Sequence, residues 1–293
     1  MWNNVGPAIV HGLVTGGTYG AIALGLSLIF GVLRIINFAH GAMLMISCFF
    51  YYGLWTWFGI NPYLGMIILV PIMFLFGYLI RSTMIRRLFE REKAEVLEPV
   101  SVLLLTIGLW FALENLFLMI FGANFRSINT AISEVNIGTG NIIISLPRII
   151  AFFGSIVITI LLYIILNKTE LGRKIRAVSQ NRDAAALCGV NVNRMYNITF
   201  AMGVAVVSVA GSLLSQYYYV QPGIGSVFGT KSFMIVVLGG LGSIPGALLG
   251  GLIFGLVESV GAQFITSTSA SMLSFMLFII VLFLRPKGLL GKV

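Results

Sequence analysis

Residues Pro7–Gly41 read "PAIVHGLVTGGTYGAIALGLSLIFGVLRIINFAHG". From Pro7 to Gly31 there is no Asp, Glu, Lys or Arg, and a helix over that run is long enough to cross a hydrocarbon core of about 30 Å. Arg34, Asn37 and His40 then arrive together beside Gly41, at the start of a second apolar run. The same alternation of long apolar runs and short polar interruptions continues to the C-terminus. Of the 293 residues, 58% are hydrophobic and 9% charged, with mean hydropathy +1.02. A soluble domain carries about 25% charged residues. The short alternating segments of a transmembrane β-barrel are absent. The chain is therefore expected to be an all-α, polytopic helical membrane protein.

The apolar segments fall at 7–31, 36–58, 63–81, 99–121, 147–166, 195–220, 231–264 and 270–284. Three stretches outside them are basic. "RSTMIRRLFEREKAEVLEP" (81–99) holds five basic and four acidic residues, "KTELGRKIRAVSQNRDAAALCGVNVNR" (168–194) six and two, and the tail "RPKGLLGKV" (285–293) three positive charges. The positive-inside rule assigns all three to the cytoplasm. Three spans before the first loop then place the N-terminus outside. "GANFRSINTAISEVNIGTGNIIIS" (122–145) becomes an outer loop whose composition suits a short hairpin.

Segment 231–264 is too long for one helix and barely long enough for two. Pro245 lacks a backbone donor and disrupts a helix through it, while Gly239, Gly240, Gly242 and Gly246 loosen the backbone around it. A broken or re-entrant helix pair, acting as a gate, is expected there. The whole chain then has about seven to nine spans, some broken or re-entrant.

The net charge of +9 sits in loops flanking apolar spans, which is a membrane pattern and not a nucleic-acid footprint. The start, "MWNNVGPAIVHGLVTGG", has no basic n-region and no clear cleavage site, so the first run reads as a retained helix. Cys48 lies in an apolar span and Cys188 in a basic loop, and neither suggests a disulfide or a metal site. No G-x-x-x-x-G-K-[ST] stretch occurs, so no P-loop is expected in this chain. No residue cluster suggests catalysis.

Polar groups at membrane depth are costly, and each one is a functional candidate. Arg34 reads either as a residue snorkelling from a helix end or as part of a polar patch. Asn37 and His40, three apart, would share a helix face, either bonding a neighbouring helix or facing a transport route. Glu114 and Asn115 sit inside the fourth span and Glu258 inside the seventh segment. Glu114 reads either as a buried neutral carboxyl or as a group meeting a solute ammonium; His11 reads as interfacial. Small-residue ladders at spacing four (Gly12, Gly16, Gly20; Gly242, Gly246, Gly250; Gly251, Gly255) mark faces where helix backbones approach closely.

Within the large basic loop, "NRDAAALCGVN" reads as a short helix capped near Asn181 and stopped at Gly189. Ala184, Ala185 and Ala186 would give it a flat surface, and Leu187 one apolar knob. Such a short helix is marginal in water and needs a partner surface.

Four ordered stretches carry a resemblance: "INFAHG", "LGRKIRAVSQNRDAAALCGVNVNR", "VLGGLGSIPGALLGGLIFGLVES" and "LRPKGLLG". Across essentially its whole length the chain resembles the permease family of bacterial branched-chain amino acid ABC importers. Two departures stand out: relatives often carry an acidic residue where this chain has Ala42, and a polar neutral residue is expected at Glu114. The resemblance implies a single transmembrane domain over 1–293, in the bacterial inner membrane, with a cytoplasmic coupling loop at about 168–194. It implies a second permease, identical or homologous, two cytoplasmic ATPases that hold ATP and Mg, and a periplasmic solute-binding protein. No cofactor is implied in this chain. Asn181, Asp183, Ala184, Ala185, Leu187 and Gly189 would form the helix that couples to the ATPases. The alternatives are a urea or short-amide permease of the same machinery, an ion-coupled carrier using intramembrane carboxylates, and a scaffold without transport.

Overall fold

The computed structural model describes residues 5–91, 100–130, 132–139 and 142–291. Its elements are α1 (Val5–Leu33), α2 (His40–Phe58), α3 (Pro62–Ile80), a π-helical turn (Arg81–Ile85) leading into α4 (Arg86–Arg91), and α5 (Val100–Phe121). A hairpin follows, β1 (Asn136–Thr139) and β2 (Ile142–Ser145), then α6 (Leu146–Lys168), α7 (Glu170–Gln180) and α8 (Arg182–Leu187). The chain closes with α9 (Val192–Leu214), α10 (Ile224–Gly239), α11 (Ile244–Gly261) and α12 (Ser267–Leu284). Among the described residues seven helices are long and apolar enough to cross a membrane: α1, α2, α3 with its continuation, α5, α6, α9 and α11. α10 and α12 are shorter apolar helices. The expected hairpin is present, antiparallel from Asn136↔Ser145 to Thr139↔Ile142.

α1 is the central helix. It is apolar all round and has neighbours on every side, chiefly α11, α9, α6 and α10. A helix without an apolar stripe is one surrounded by others. Two of the glycine ladders meet here. A methyl group added at Gly12 would lie 2.9 Å from the Gly255 oxygen, and one at Gly16 would lie 2.7 Å from the Gly251 oxygen. No side chain separates the two backbones, which is why glycine alone fits at these positions.

The ends of the helices sort into two groups. At one end α1 begins beside β2 and α6, with His11 near Arg148. There the 122–130 segment pairs with the α9–α10 turn, through Arg126 and Val220 (3.0 and 2.8 Å). At the other end lie Arg34, α7, α8, the start of α9 and the C-terminal tail. α7 is strongly amphipathic, capped by the Thr169 hydroxyl at 3.1 Å from the Gly172 nitrogen. It lays Ile175 and Val178 on the bundle and turns Arg173 and Lys174 to solvent.

Two sequence expectations change. Pro245 does not disrupt a helix; it occupies the first turn of α11, where its missing N–H has no intrahelical acceptor to lose. The break is the four residues between α10 and α11, Gly240 to Ser243, with Gly240 at φ +106° and Gly242 at φ +80°. Arg81, expected in a cytoplasmic loop, is wholly buried at the helical junction after α3, its guanidinium 5.6 Å from the Tyr196 ring centre. Residues 92–99 of that loop lie outside the described residues.

Because the α1–α11 contact has no room for a side chain, Gly16→Leu should destabilise the protein by about 1–3 kcal/mol or more. Gly108→Ala, whose added methyl meets nothing within 4 Å, should leave the melting temperature of the purified chain unchanged or raised. Thermal denaturation in one detergent compares the two.

Candidate functional site

The break after α1 is built from its own residues. Arg34 takes a left-handed conformation, φ 53°, while its N–H still donates to Phe30 O (2.9 Å), an ordinary helix ending made with an unusual residue. Asn37 then starts α2: its side-chain oxygen accepts from Ala39 N (3.1 Å) and its carbonyl accepts from His40 N (3.3 Å). Asn37 therefore lies outside the helix, and the expected shared face with His40 does not form. His40 is 1% exposed, and its Nε2 bonds the Ile22 carbonyl at 2.9 Å. Ile22 precedes the end of α1 by eleven residues, about 16 Å of helix. The chain between Arg34 and His40 thus folds back along α1, and α2 begins deep inside the bundle. Irregular backbone survives at such depth only when protein or a cavity surrounds it.

A cavity of about 110 Å³ opens at this point, between Leu26 of α1, residues 36–41, Trp110 of α5 and the Gly225–Phe233 part of α10. Phe38 and Phe233 stack across it with ring centres 6.0 Å apart. Gly41 packs backbone to backbone on Gly225, which closes one side. α5 is otherwise nearly bare, with only Val102 and Thr106 buried. The Thr106 hydroxyl accepts from Phe38 N (3.3 Å) and donates to Leu103 O (2.9 Å). One turn further, the same face carries Trp110 over the cavity.

Of the residues singled out from the sequence, Asn37, His40 and Gly41 line this cavity. Arg34 is exposed at the basic end and is not among the lining residues. Glu114, partly exposed one turn beyond Trp110, is not among the lining residues, and Asn115 is exposed with its amide donating to Phe111 O (2.8 Å). Gly239, Gly240, Gly242 and Gly246 form a packed knot instead of lining a space. The N–H groups of Leu289 and Leu290 donate to Leu238 O (2.9 Å) and Gly239 O (3.0 Å), so the closing motif caps α10. A methyl on Gly31 would lie 2.8 Å from Gly242 Cα, and the Ser243 hydroxyl accepts from Gly246 N (3.2 Å), starting α11.

At the basic end α8 forms as expected, its first turn capped by the Asn181 side chain, which accepts from Asp183 N and Ala184 N (both 3.0 Å). Gly189, φ +80°, ends it. The three alanines do not make one flat face. Ala185 packs inward, while Asp183, Ala184, Ala186 and Leu187 face out, Leu187 at 90% exposure.

Glu258 belongs to a second polar cluster, whose other members the sequence did not single out. Lys231 of α10 bonds both carboxylate oxygens (2.7 and 2.9 Å) and the Tyr19 hydroxyl (3.1 Å), and its ammonium lies 4.7 Å from the Tyr19 ring centre. The Ser271 hydroxyl of α12 donates to Glu258 Oε1 (2.8 Å). The two charged side chains are 16% and 20% exposed. One ion pair thus joins α1, α10, α11 and α12. Lys231 was legible as a lone cation within an apolar run; Trp110, Ser226 and Thr230, by contrast, look like ordinary span residues until α5 and α10 are placed. Removing one charge leaves the other buried without its partner, which costs about 3–5 kcal/mol. Lys231→Met and Glu258→Gln should each lower stability strongly, and the double variant should recover most of the loss, as read by thermal unfolding of the three proteins.

The sequence matches the family model for the permease component of the branched-chain amino acid transport system over residues 8–282. It is 33% identical to the high-affinity branched-chain amino acid transport system permease protein BraD of Pseudomonas aeruginosa, covering 97% of this chain and 95% of the relative. It is 30% identical to the permease protein LivH of Salmonella typhimurium (96% and 94% covered) and 29% identical to LivH of Escherichia coli (96% and 94%). No solved structure matches it. The chain is a multi-pass membrane protein and a transport subunit, not an enzyme, and it belongs to the branched-chain amino acid ABC transporter permease family.

Proposed function

We propose that this chain is one of two permease subunits of an ATP-driven importer that carries branched-chain amino acids across a bacterial inner membrane. The observation that carries this reading is the near full-length similarity to BraD and LivH, both branched-chain amino acid permeases by name. The cavity supports the substrate class: its walls include Leu26, Ile36, Phe38 and Phe233, and no charged side chain is among the described residues that line it. The whole chain acts as one transmembrane domain. ATP and Mg belong to two cytoplasmic ATPases, and a periplasmic binding protein delivers the solute.

The orientation follows from charge. With the basic end in the cytoplasm, the N-terminus lies outside. α8 then projects from the cytoplasmic end as the coupling helix, with Leu187 as the knob for an ATPase cleft. ATP shifts the permeases between outward- and inward-facing states because it binds the closed ATPase pair more tightly. The second permease sits on α5. That helix exposes most of its surface, yet Glu114 interrupts it, and a carboxylate facing lipid at mid-span is expensive. A protein neighbour covers such a helix where lipid does not.

Leu187→Asp should reduce leucine uptake at least tenfold, a loss of about 1.4 kcal/mol or more, with the chain still present in the membrane. Wild-type uptake would remove α8 from the coupling role. Ala185→Glu is not a substitute, since Ala185 is packed and its variant tests folding. Cells expressing the complete system, but lacking their own leucine transport, should take up labelled leucine and not urea, and only with the ATPases present. Urea uptake overturns the substrate; uptake without ATPases overturns the importer.

A further inference from the structure

The polar groups lining the cavity have an order that hydrogen-bond bookkeeping reveals. The Ile22 carbonyl can only accept, so His40 Nε2 carries the proton, and a neutral ring then presents a lone pair at Nδ1. That Nδ1 is buried and has no hydrogen-bond partner among the described residues. On α10 the Ser226 hydroxyl donates to Gly223 O (2.8 Å) and the Thr230 hydroxyl to Ser226 O (2.9 Å). Their protons are committed to their own helix, so their oxygens offer only lone pairs to the cavity. The α2 and α10 walls are therefore acceptors.

The remaining polar groups donate. Trp110 Nε1–H is buried with no partner among the described residues. Asn37 spends its oxygen on Ala39 N, while its amide nitrogen reaches nothing better than the Met43 sulfur at 3.9 Å. Sulfur is a weak acceptor, and the group has two protons to give. A buried donor or acceptor left unmet costs about 1–3 kcal/mol, and here one of each kind sits on the two residues His40 and Trp110 that line one small space. Apolar surface from Leu26, Ile36 and Phe233 fills the remainder.

We propose that this cavity is a binding subsite for a zwitterionic, aliphatic α-amino acid within the permease itself. His40 Nδ1, with the Ser226 and Thr230 oxygens, takes the α-ammonium. The N–H groups of Trp110 and Asn37 take the α-carboxylate, and the side chain lies on the apolar wall. The site holds no net charge, so a substrate with equal and opposite charges suits it and one with an extra charged group does not. Urea, which has donors and acceptors but no apolar body, leaves the wall uncovered. This inference rests on the amino acid reading above and adds to it a site separate from the solute-binding protein.

The test uses the complete importer in nanodiscs without its solute-binding protein and measures equilibrium binding of labelled leucine. Competition with isoamylamine, which lacks the carboxylate, and with 4-methylpentanoate, which lacks the ammonium, separates the acceptor groups from the donor groups. Each should compete about tenfold or more weaker than leucine, the weight of a hydrogen bond to a charged group. Trp110→Phe should weaken leucine and 4-methylpentanoate while sparing isoamylamine. Thr230→Val should weaken leucine and isoamylamine while sparing 4-methylpentanoate. Thr230→Val keeps the side-chain volume and Trp110→Phe keeps an aromatic ring at the same place, and a merely structural role would move all three ligands together. Equal loss of all three, wild-type binding by both variants, or no leucine binding to the wild-type importer would each overturn the subsite. If cells take up leucine through the system while any of these results holds, only the subsite falls. If cells take up no leucine, the substrate reading falls first.

Discussion

Where Gly12, Gly16 and Gly20 of α1 meet Gly251 and Gly255 of α11, two helix backbones touch with no side chain between them. Lipid tails are as apolar as leucine, so helices in a bilayer gain nothing from hiding apolar surface from each other; they gain from close dispersion contact. That contact fixes α1 in the centre. With α1 in place, the Ile22 carbonyl becomes the anchor for His40, and the folded-back segment from Arg34 to Ala39 has a wall to follow. The start of α2, the cavity and the reach of Trp110 over it all inherit their positions from this one interface.

The two polar clusters at depth serve different ends. Lys231 and Glu258 satisfy each other, with Tyr19 and Ser271 completing the shell, and the pair ties the otherwise peripheral α12 to the bundle. Such a pair adds little net stability against an apolar replacement, but it strongly penalises any arrangement that separates the charges. Around the cavity the reverse holds. His40 and Trp110 both line it, and each keeps a buried polar atom that has no hydrogen-bond partner among the described residues.

The cavity and α8 lie at different levels of the same bundle. α8 leads directly into α9, which packs along α1, α2 and α3, while α7 rests on α1 and α9. The exposed Leu187 is therefore joined through α9 to the helices packed around α1. The knot at Gly240–Ser243, pinned by the end of α1 and capped by the C-terminal tail, holds α10 and α11 together at the basic end.

Composition and periodicity were enough to establish a helical membrane protein, the approximate spans, the hairpin, the glycine interfaces and the cap of α8. Each depends on neighbours in the chain or on the solvent a segment must face. Four motifs in order also identified the family. What tertiary structure alone decided concerns direction and partnership. Ala185 turned inward and Leu187 outward because α8 lies against α7 and α9; α5 stayed largely exposed because it touches the bundle along one edge; Lys231 found Glu258 across 27 residues of sequence. His40 reads as one polar residue in an apolar stretch until Ile22 claims one of its nitrogens and leaves the other without a partner among the described residues. A hydrogen bond needs two atoms about 3 Å apart, and residues far apart along the chain meet at that distance only once the fold has placed them.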